Sequence, residues 1–292
     1  MNDVLQVIRS HRSIRKFKPV PLTNEQIDAI VEAAQMAPSS MHMQPFSIIG
    51  VTDPKLLEKI AKRSNNPPVG ECGYFFIFCA DLYRILAAGD PARQAAMKRN
   101  LGSTYVFQTA VLCAGLALQN ANVAAESMGL GAVMIGGINE ALPDLDEWLG
   151  LPEFVIPLCG LAVGVPDESP EQKPRLPRSA VFFENRYNPS LKAAIDEFDR
   201  QIETYYGSCS TAGRPTGRAS SPRFWARSCR STCTRNMSGT KGSIWSNKRD
   251  RRDPSERIPA RHTAERGSVR PAIRRLPAAH SPAAYTEMTP MK

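Results

Sequence analysis

The sequence predicts an α+β fold in which helices pack around a single sheet. Two observations carry that reading. The apolar runs that look like strands are separated by helical patterns without the regular rhythm of strand–helix–strand units, and no GxGxxG motif follows the first strand. A third feature sets the scale of the core: residues 104–128 form one long helical pattern that is apolar on nearly every side.

The elements follow in order. Residues 2–10 read as a short helix with Val4, Leu5 and Ile8 on one side. Pro19 and Pro21 break the chain, and Thr23-Asn24-Glu25-Gln26 is a capping box. Ile27, Ile30, Val31 and Ala34 continue it as a helix to about Ala37, stopping before Pro38. Residues 39–45 are a polar loop, 46–51 a strand, 55–64 a helix behind Asp53-Pro54, and 65–68 a turn. Residues 74–80 read as a fully buried strand, 132–135 as a short strand running into Gly136-Gly137, 143–149 as a brief helix, and 156–165 as a strand closed by Pro166. Two prolines hold 174–178 extended, and 189–206 is an amphipathic helix carrying Leu191, Ile195, Phe198 and Ile202.

The charge is unevenly distributed. The chain of 292 residues carries a net charge of +9, but residues 207–292 alone hold 18 Lys+Arg against 5 Asp+Glu. That leaves 19 basic and 23 acidic residues in 1–206, a mildly acidic body with a basic tail. Only nine of the 86 tail residues are Val, Ile, Leu, Met or Phe, too few for a core, so the tail is predicted to be disordered. Its abrupt start after a well-formed helix also points to a reading-frame change in the gene. The domain boundary is therefore expected at 206/207. The tail lacks regularly interleaved aromatics, which weakens a nucleic-acid-binding reading without removing it.

No signal peptide is visible in residues 1–11, and the apolar 104–128 segment is interrupted by Gln108, Gln119, Asn120 and Asn122, which is wrong for a membrane span. The seven cysteines show no metal-ligand spacing, and a reducing, cytoplasmic compartment is expected.

The run His11-Arg12-Ser13-Ile14-Arg15-Lys16-Phe17 concentrates hydrogen-bond donors and permanent cations between two helices. Taken alone it reads as a solvated basic turn; as a site, its guanidinium forks suit a phosphate. Four motifs in order, His11-Arg12-Ser13-Ile14-Arg15, Ala37-Pro38-Ser39-Ser40, Ile135-Gly136-Gly137 and Lys173-Pro174-Arg175-Leu176-Pro177, give the chain a resemblance to the nitroreductase superfamily. Within it, residues 1–206 most resemble the FMN-dependent NADPH flavin reductase and oxygen-insensitive nitroreductase branch.

That resemblance implies a mainly antiparallel sheet surrounded by helices. It also implies a homodimer with FMN at the subunit interface, where the 104–128 helix would be buried. Arg12, Ser13 and Arg15 would contact the FMN phosphate and ribityl chain, with His11 beside them, and Lys173 and Arg175 would complete the cationic lining. Ser39 would contact the cofactor, or else serve the local backbone as a helix-terminus residue. Met134, Ile135, Gly136 and Gly137 would lie against the flavin, or else form a plain strand-to-loop turn. Asn66 stands where relatives carry a glutamine toward the pyrimidine edge.

The chemistry implied is ping-pong hydride transfer at the flavin N5, from NADPH or NADH to a nitroaromatic, a quinone or free flavin. Lys173 and Arg175 would supply electrostatic support, and no protein nucleophile or general base, His11 and His42 included, is required. Another flavin enzyme of the same superfamily would share these cofactor motifs. The branch's C-terminal arginines for the NADPH phosphate have no matching pattern here, although Arg214 and Arg218 fall in the region.

Overall fold

The computed structural model describes residues 2–208. The expected tail falls outside the described residues except for Gly207 and Ser208, and helix runs through the expected boundary at 206/207 to Ser208. Nine helices are found among those described: α1 (Asp3–Arg9), α2 (Asn24–Gln35), α3 (Pro54–Ser64), α4 (Pro68–Glu71), α5 (Tyr83–Ala88), α6 (Gln94–Leu101), α7 (Thr104–Ser127), α8 (Leu142–Trp148) and α9 (Lys192–Ser208). Four strands, β1 (Phe46–Val51), β2 (Tyr74–Asp81), β3 (Gly131–Ile135) and β4 (Val155–Gly164), form one sheet in the order β1-β2-β4-β3. Every neighbouring pair in it is antiparallel. The α+β expectation holds.

Local chemistry explains the element ends. The capping box at the start of α2 is complete: Gln26 N donates to Thr23 Oγ1, and Thr23 N donates to Gln26 Oε1 at 3.0 Å. Asp53 caps α3 by accepting from Lys55 N at 2.9 Å, and Asn65 ends that helix in the left-handed region at φ 52°. Ser103 caps α7, and Gly129 leaves it at φ 75°.

The inner strand β2 is buried on both faces, as its unbroken apolar run predicts. Phe76 and Phe78 face a core built with Ile30 and Ala34 of α2 and Ala114, Ala117 and Ala121 of α7. Phe75, Ile77 and Cys79 face the other way, against Ile60 of α3, Leu145 of α8, and Val133 and Ile135. Each such side chain contributes about 1.5–3 kcal/mol by leaving water. A smaller core of Leu82, Leu86, Leu101, Ala110 and Phe154 lies under the 83–101 excursion. Its two helices, α5 and α6, went unread in the sequence because six- and eight-residue helices carry too few turns to show a period.

Two expectations need adjustment. The turn at 65–68 holds only for Asn65–Pro67, because Pro68 starts the short α4. The long helix α7 is not buried all round within one chain: Tyr105 and Leu112 are 76% and 63% exposed. The alanines, with Cys113 and Leu118, carry its packed side, and Tyr105, Leu112 and Leu116 stand on its outer side.

The segment between α1 and α2 joins the sheet without being a named strand. Ser13 bridges Ala132 in parallel, and Phe17 bridges Pro166 in antiparallel. Ile14 N donates to Ala132 O at 3.0 Å, and Lys18 N donates to Val165 O at 2.9 Å. Ile14 and Phe17 are buried in the second core and act as pegs. Gly131 permits this approach, since a Cβ there would sit 2.8 Å from Ile14 Cβ.

Burial raises the Cys72 thiol to about 11 and pushes Cys159 up as well. Neither offers a thiolate nucleophile at neutral pH. No single described helix is long and apolar enough to cross a membrane.

The contact at Gly131 yields a direct test. Gly131→Ala forces the 13–17 segment away from β3 and is expected to destabilise the protein by about 1–3 kcal/mol, read as a lowered urea midpoint. An unchanged midpoint would mean that the segment is not pinned there.

Candidate functional site

The pegs Ile14 and Phe17 turn inward, so the cationic residues between and beside them face outward. Arg12 and Lys16 are exposed, while Ser13 and Arg15 are half-buried. A second length of chain, leaving β4 through Pro166, runs alongside. Asp167 N donates to Lys16 O at 3.0 Å, and Arg15 N donates to Glu168 Oε1 at 2.6 Å. Gln172 Nε2 donates to Arg9 O at 2.5 Å. The proline-stiffened stretch that follows carries Lys173 and Arg175, with the Arg175 guanidinium donating to Lys173 O at 3.1 Å.

These two lengths of chain enclose a pocket of about 100 Å³. His11, Arg12, Ser13, Arg15, Lys173 and Arg175 all line it, together with Pro170, Glu171 and Tyr205. The structure thus brings His11, Arg12, Ser13 and Arg15 together with Lys173 and Arg175, 158 or more positions further along the sequence. Among the described residues none of the four cations Arg12, Arg15, Lys173 and Arg175 takes part in an ion pair. Against them the lining holds one carboxylate, Glu171. Four positive charges gathered against self-repulsion have the chemistry that suits an anion with several oxygens.

Helix α9 closes one side. Tyr205 OH donates to Glu171 O at 3.2 Å, and Lys173 Nζ stands 6.0 Å from the centre of the Tyr206 ring. His11 is fixed from another direction: its Nδ1 lies 2.5 Å from Oε1 of Glu126, near the end of α7. An ionised carboxylate only accepts, so Nδ1 carries a proton and Nε2 is the nitrogen left for a ligand.

The remaining predicted residues lie outside this pocket. Met134, Ile135, Gly136 and Gly137 continue from Ala132, the partner of Ser13, and at strand rise Ile135 stands about 10 Å further along β3. The Ile135 side chain is buried in the core, so only its backbone is available to a ligand; Met134 is 40% exposed. Gly136 has open space where a side chain would be. Gly137 does not: a Cβ there would fall 2.3 Å from Asn66 Nδ2. Asn66 is therefore packed against the glycine pair, and its Nδ2 donates to Ser64 O at 2.6 Å, leaving Oδ1 as an acceptor. Ser39 serves the local backbone, its hydroxyl accepting from Gln44 N at 3.2 Å. His42 lies beside it at φ 54°, exposed, with Nε2 3.3 Å from Gln44 Nε2.

Glu126, Glu168, Glu171 and the Tyr205-Tyr206 pair went unread in the sequence. Glu126 did carry a signal. A carboxylate in the last turn of a long helix opposes the helix dipole, which marks it as held there by a specific cation. Glu168 and Glu171 carry none, because their roles depend on which length of chain lies alongside.

Comparison with known proteins agrees with this arrangement. The Nitroreductase family model matches residues 8–165, and the model of the Nitroreductase family C-terminal domain matches residues 173–228. The second match takes in Arg214 and Arg218 and runs 22 residues beyond Tyr206. Among curated proteins, the FMN reductase (NADPH) of Bacillus subtilis strain 168 is 42% identical over 210 residues, covering 70% of this chain and 84% of that protein. The NADPH-flavin oxidoreductase of Vibrio harveyi is 39% identical over 209 residues, covering 71% and 84%. Among solved structures, the NfrA1 nitroreductase from B. subtilis superposes with a TM-score of 0.71 at 37% identity, covering 80% of this chain and 96% of that one. The NADPH:FMN oxidoreductase from Vibrio harveyi complexed with NAD+ gives 0.64 at 37%, covering 70% and 87%. With its basic pocket and glycine pair set in a sheet of this topology, and with matches that run through both, the chain belongs to the nitroreductase family.

Proposed function

We propose that this protein is an FMN-dependent NAD(P)H oxidoreductase that reduces nitroaromatics, quinones or free flavin in ping-pong order. The observation that carries the reading is the meeting of Arg12, Arg15, Lys173 and Arg175 with His11 and Ser13 around one pocket. Relatives named FMN reductase (NADPH) and NADPH-flavin oxidoreductase, at 42% and 39% identity, support the cofactor and the donor.

The residues present fit FMN. A phosphate dianion offers oxygens to four cations that have no ion-pair partner among the described residues, and the Ser13 hydroxyl adds a neutral donor. The open backbone at Gly136 leaves room for a flat ring, and the Asn66 Oδ1 offers it an acceptor. Ser39 and Met134 complete the ring side in this reading. Bound FMN supplies the hydride chemistry between a nicotinamide and an oxidised acceptor. The chain's own residues do the rest: His11, Arg12, Ser13 and Arg15 anchor the phosphate, and Lys173 and Arg175 offset the negative charge that reduction adds to the pocket. No side chain is needed to move a proton.

A homodimer follows from the exposed apolar residues on two touching helices. Val4, Leu5 and Ile8 of α1 are 57%, 48% and 47% exposed, and Tyr105, Leu112 and Leu116 stand out from α7. A second copy is the occupant this reading assigns to that face. In this reading residues 1–206 form the body of the FMN-binding unit, and the match to the family's C-terminal domain, which ends at residue 228, carries it into the first part of the basic segment. The free cysteines Cys72, Cys79, Cys113 and Cys159 agree with a cytoplasmic setting.

The test is the visible spectrum of the purified full chain, first as isolated and then with NADPH under anaerobic conditions. Flavin absorption that bleaches on adding NADPH is expected; a protein that neither carries nor takes up FMN would overturn the assignment. Lys173→Ala and Arg175→Ala are each expected to weaken FMN binding by roughly ten- to a hundredfold, since a charged hydrogen bond contributes about 1.5–3 kcal/mol. Titration of the apoprotein, followed by flavin fluorescence quenching, measures this, and unchanged affinity in both variants would remove these residues from the site.

A further inference from the structure

Residues 39–45, which lead from α2 into β1, hold an unusual backbone. Met41, His42 and Gln44 all lie in the left-handed region, at φ 51°, 54° and 49°. Three such residues without glycine persist only where the surroundings fix them.

One side chain does this from outside the loop. Arg84, in the first turn of α5, donates through Nη1 to Gln44 O at 3.3 Å and through Nη2 to Phe46 O at 3.3 Å. The same Nη2 reaches Ser47 Oγ at 3.0 Å. The rigid guanidinium fork is what allows one side chain to catch two carbonyls in this way.

Arg84 is itself held by Asp81. Its backbone N donates to Asp81 Oδ1 at 3.3 Å, and its Nη2 lies 3.7 Å from Oδ2, which also accepts from the Ser47 hydroxyl. Asp81 is only 8% exposed, and its own N donates to Pro45 O at 3.0 Å. A nearly buried carboxylate with no part in the proposed chemistry is thus committed, through Arg84, to the far end of this loop. The near end is Ser39, whose hydroxyl accepts from the same Gln44 whose carbonyl Arg84 holds.

We propose that Asp81 and Arg84 are positioning residues for the cofactor site: they lock Gln44, and through Gln44 they fix Ser39, which the FMN reading assigns to the cofactor. The proposal rests on the FMN reading above. Neither residue touches the cofactor. Their effect passes through the Gln44 backbone, so losing the clamp and losing the Ser39 hydroxyl remove the same contribution.

The experiment titrates full-length apoprotein with FMN by fluorescence quenching, for wild type, Arg84→Ala, Arg84→Lys, Asp81→Asn, Ser39→Ala and the double variant Arg84→Ala/Ser39→Ala. The thermal midpoint of each apoprotein is recorded alongside. Arg84→Ala and Ser39→Ala are each expected to weaken FMN binding by up to about tenfold, the scale of one hydrogen bond. The double variant is expected to bind no more weakly than Arg84→Ala alone. Arg84→Lys is expected not to restore binding, because one ammonium cannot hold both carbonyls.

Wild-type affinity in Arg84→Ala, or effects that simply add in the double variant, would overturn the clamp whatever the thermal midpoints show. Should Arg84→Ala fail to fold, Asp81→Asn in combination with Ser39→Ala carries the same criterion. Failure of the wild-type apoprotein to take up FMN would instead overturn the FMN reading itself.

Discussion

The site depends on one backbone contact, the pairing of Ser13 and Ile14 with Ala132 at the edge of the sheet. Without it the 11–18 run would be a basic turn in water, with its cations free to separate. The pairing sets Ile14 and Phe17 into the core as pegs, and the register then turns Arg12, Ser13 and Arg15 toward the chain that leaves β4. Gly131 makes the approach close enough, because any side chain there would meet Ile14. The cationic pocket is therefore a consequence of packing. Hydrophobic burial holds like charges together that would otherwise repel.

The electrostatic arrangement makes sense on that scaffold. The body of the protein is mildly acidic, with 19 basic against 23 acidic residues in 1–206. Against that background, four cations without ion-pair partners among the described residues are a local inversion of charge. The acidic residues nearby serve to orient their neighbours: Glu126 takes His11 Nδ1, and Glu168 takes the Arg15 backbone N. The pocket cations meet only backbone carbonyls and an aromatic ring among the described residues, and no carboxylate neutralises them. The same economy appears at Asp81, whose carboxylate orients Arg84 toward backbone carbonyls.

Most of the fold was legible in the sequence where a local rule decided it. The Thr23–Gln26 capping box, the doubly buried run of β2 and the alanine-rich α7 all formed as their patterns predict. The grouping of His11, Arg12, Ser13 and Arg15 with Lys173 and Arg175 was legible too, since all six line one pocket. What the sequence did not show depends on distant neighbours. The short helices α5 and α6 have too few turns to display a period, and Glu168 and Glu171 acquire their roles only when the 11–18 and 166–175 segments lie together. Ser39 was open between two roles, and its hydroxyl takes the local one with Gln44 N. Asn66 sits beside Gly137 because Asn65 ends α3 in the left-handed region, a detail of cap geometry.

The central claim is that the pocket at residues 11–15 and 173–175 recognises a phosphate. It is tested most directly by comparing the affinity of the apoprotein for FMN with its affinity for riboflavin, which has the same ring and ribityl chain but no phosphate. FMN is expected to bind more tightly by at least about a hundredfold, the equivalent of one or two charge-assisted contacts. The preference should fall sharply in Arg12→Ala and Arg15→Ala. Equal affinity for the two flavins would contradict it, and would mean that the gathered cations serve another ligand.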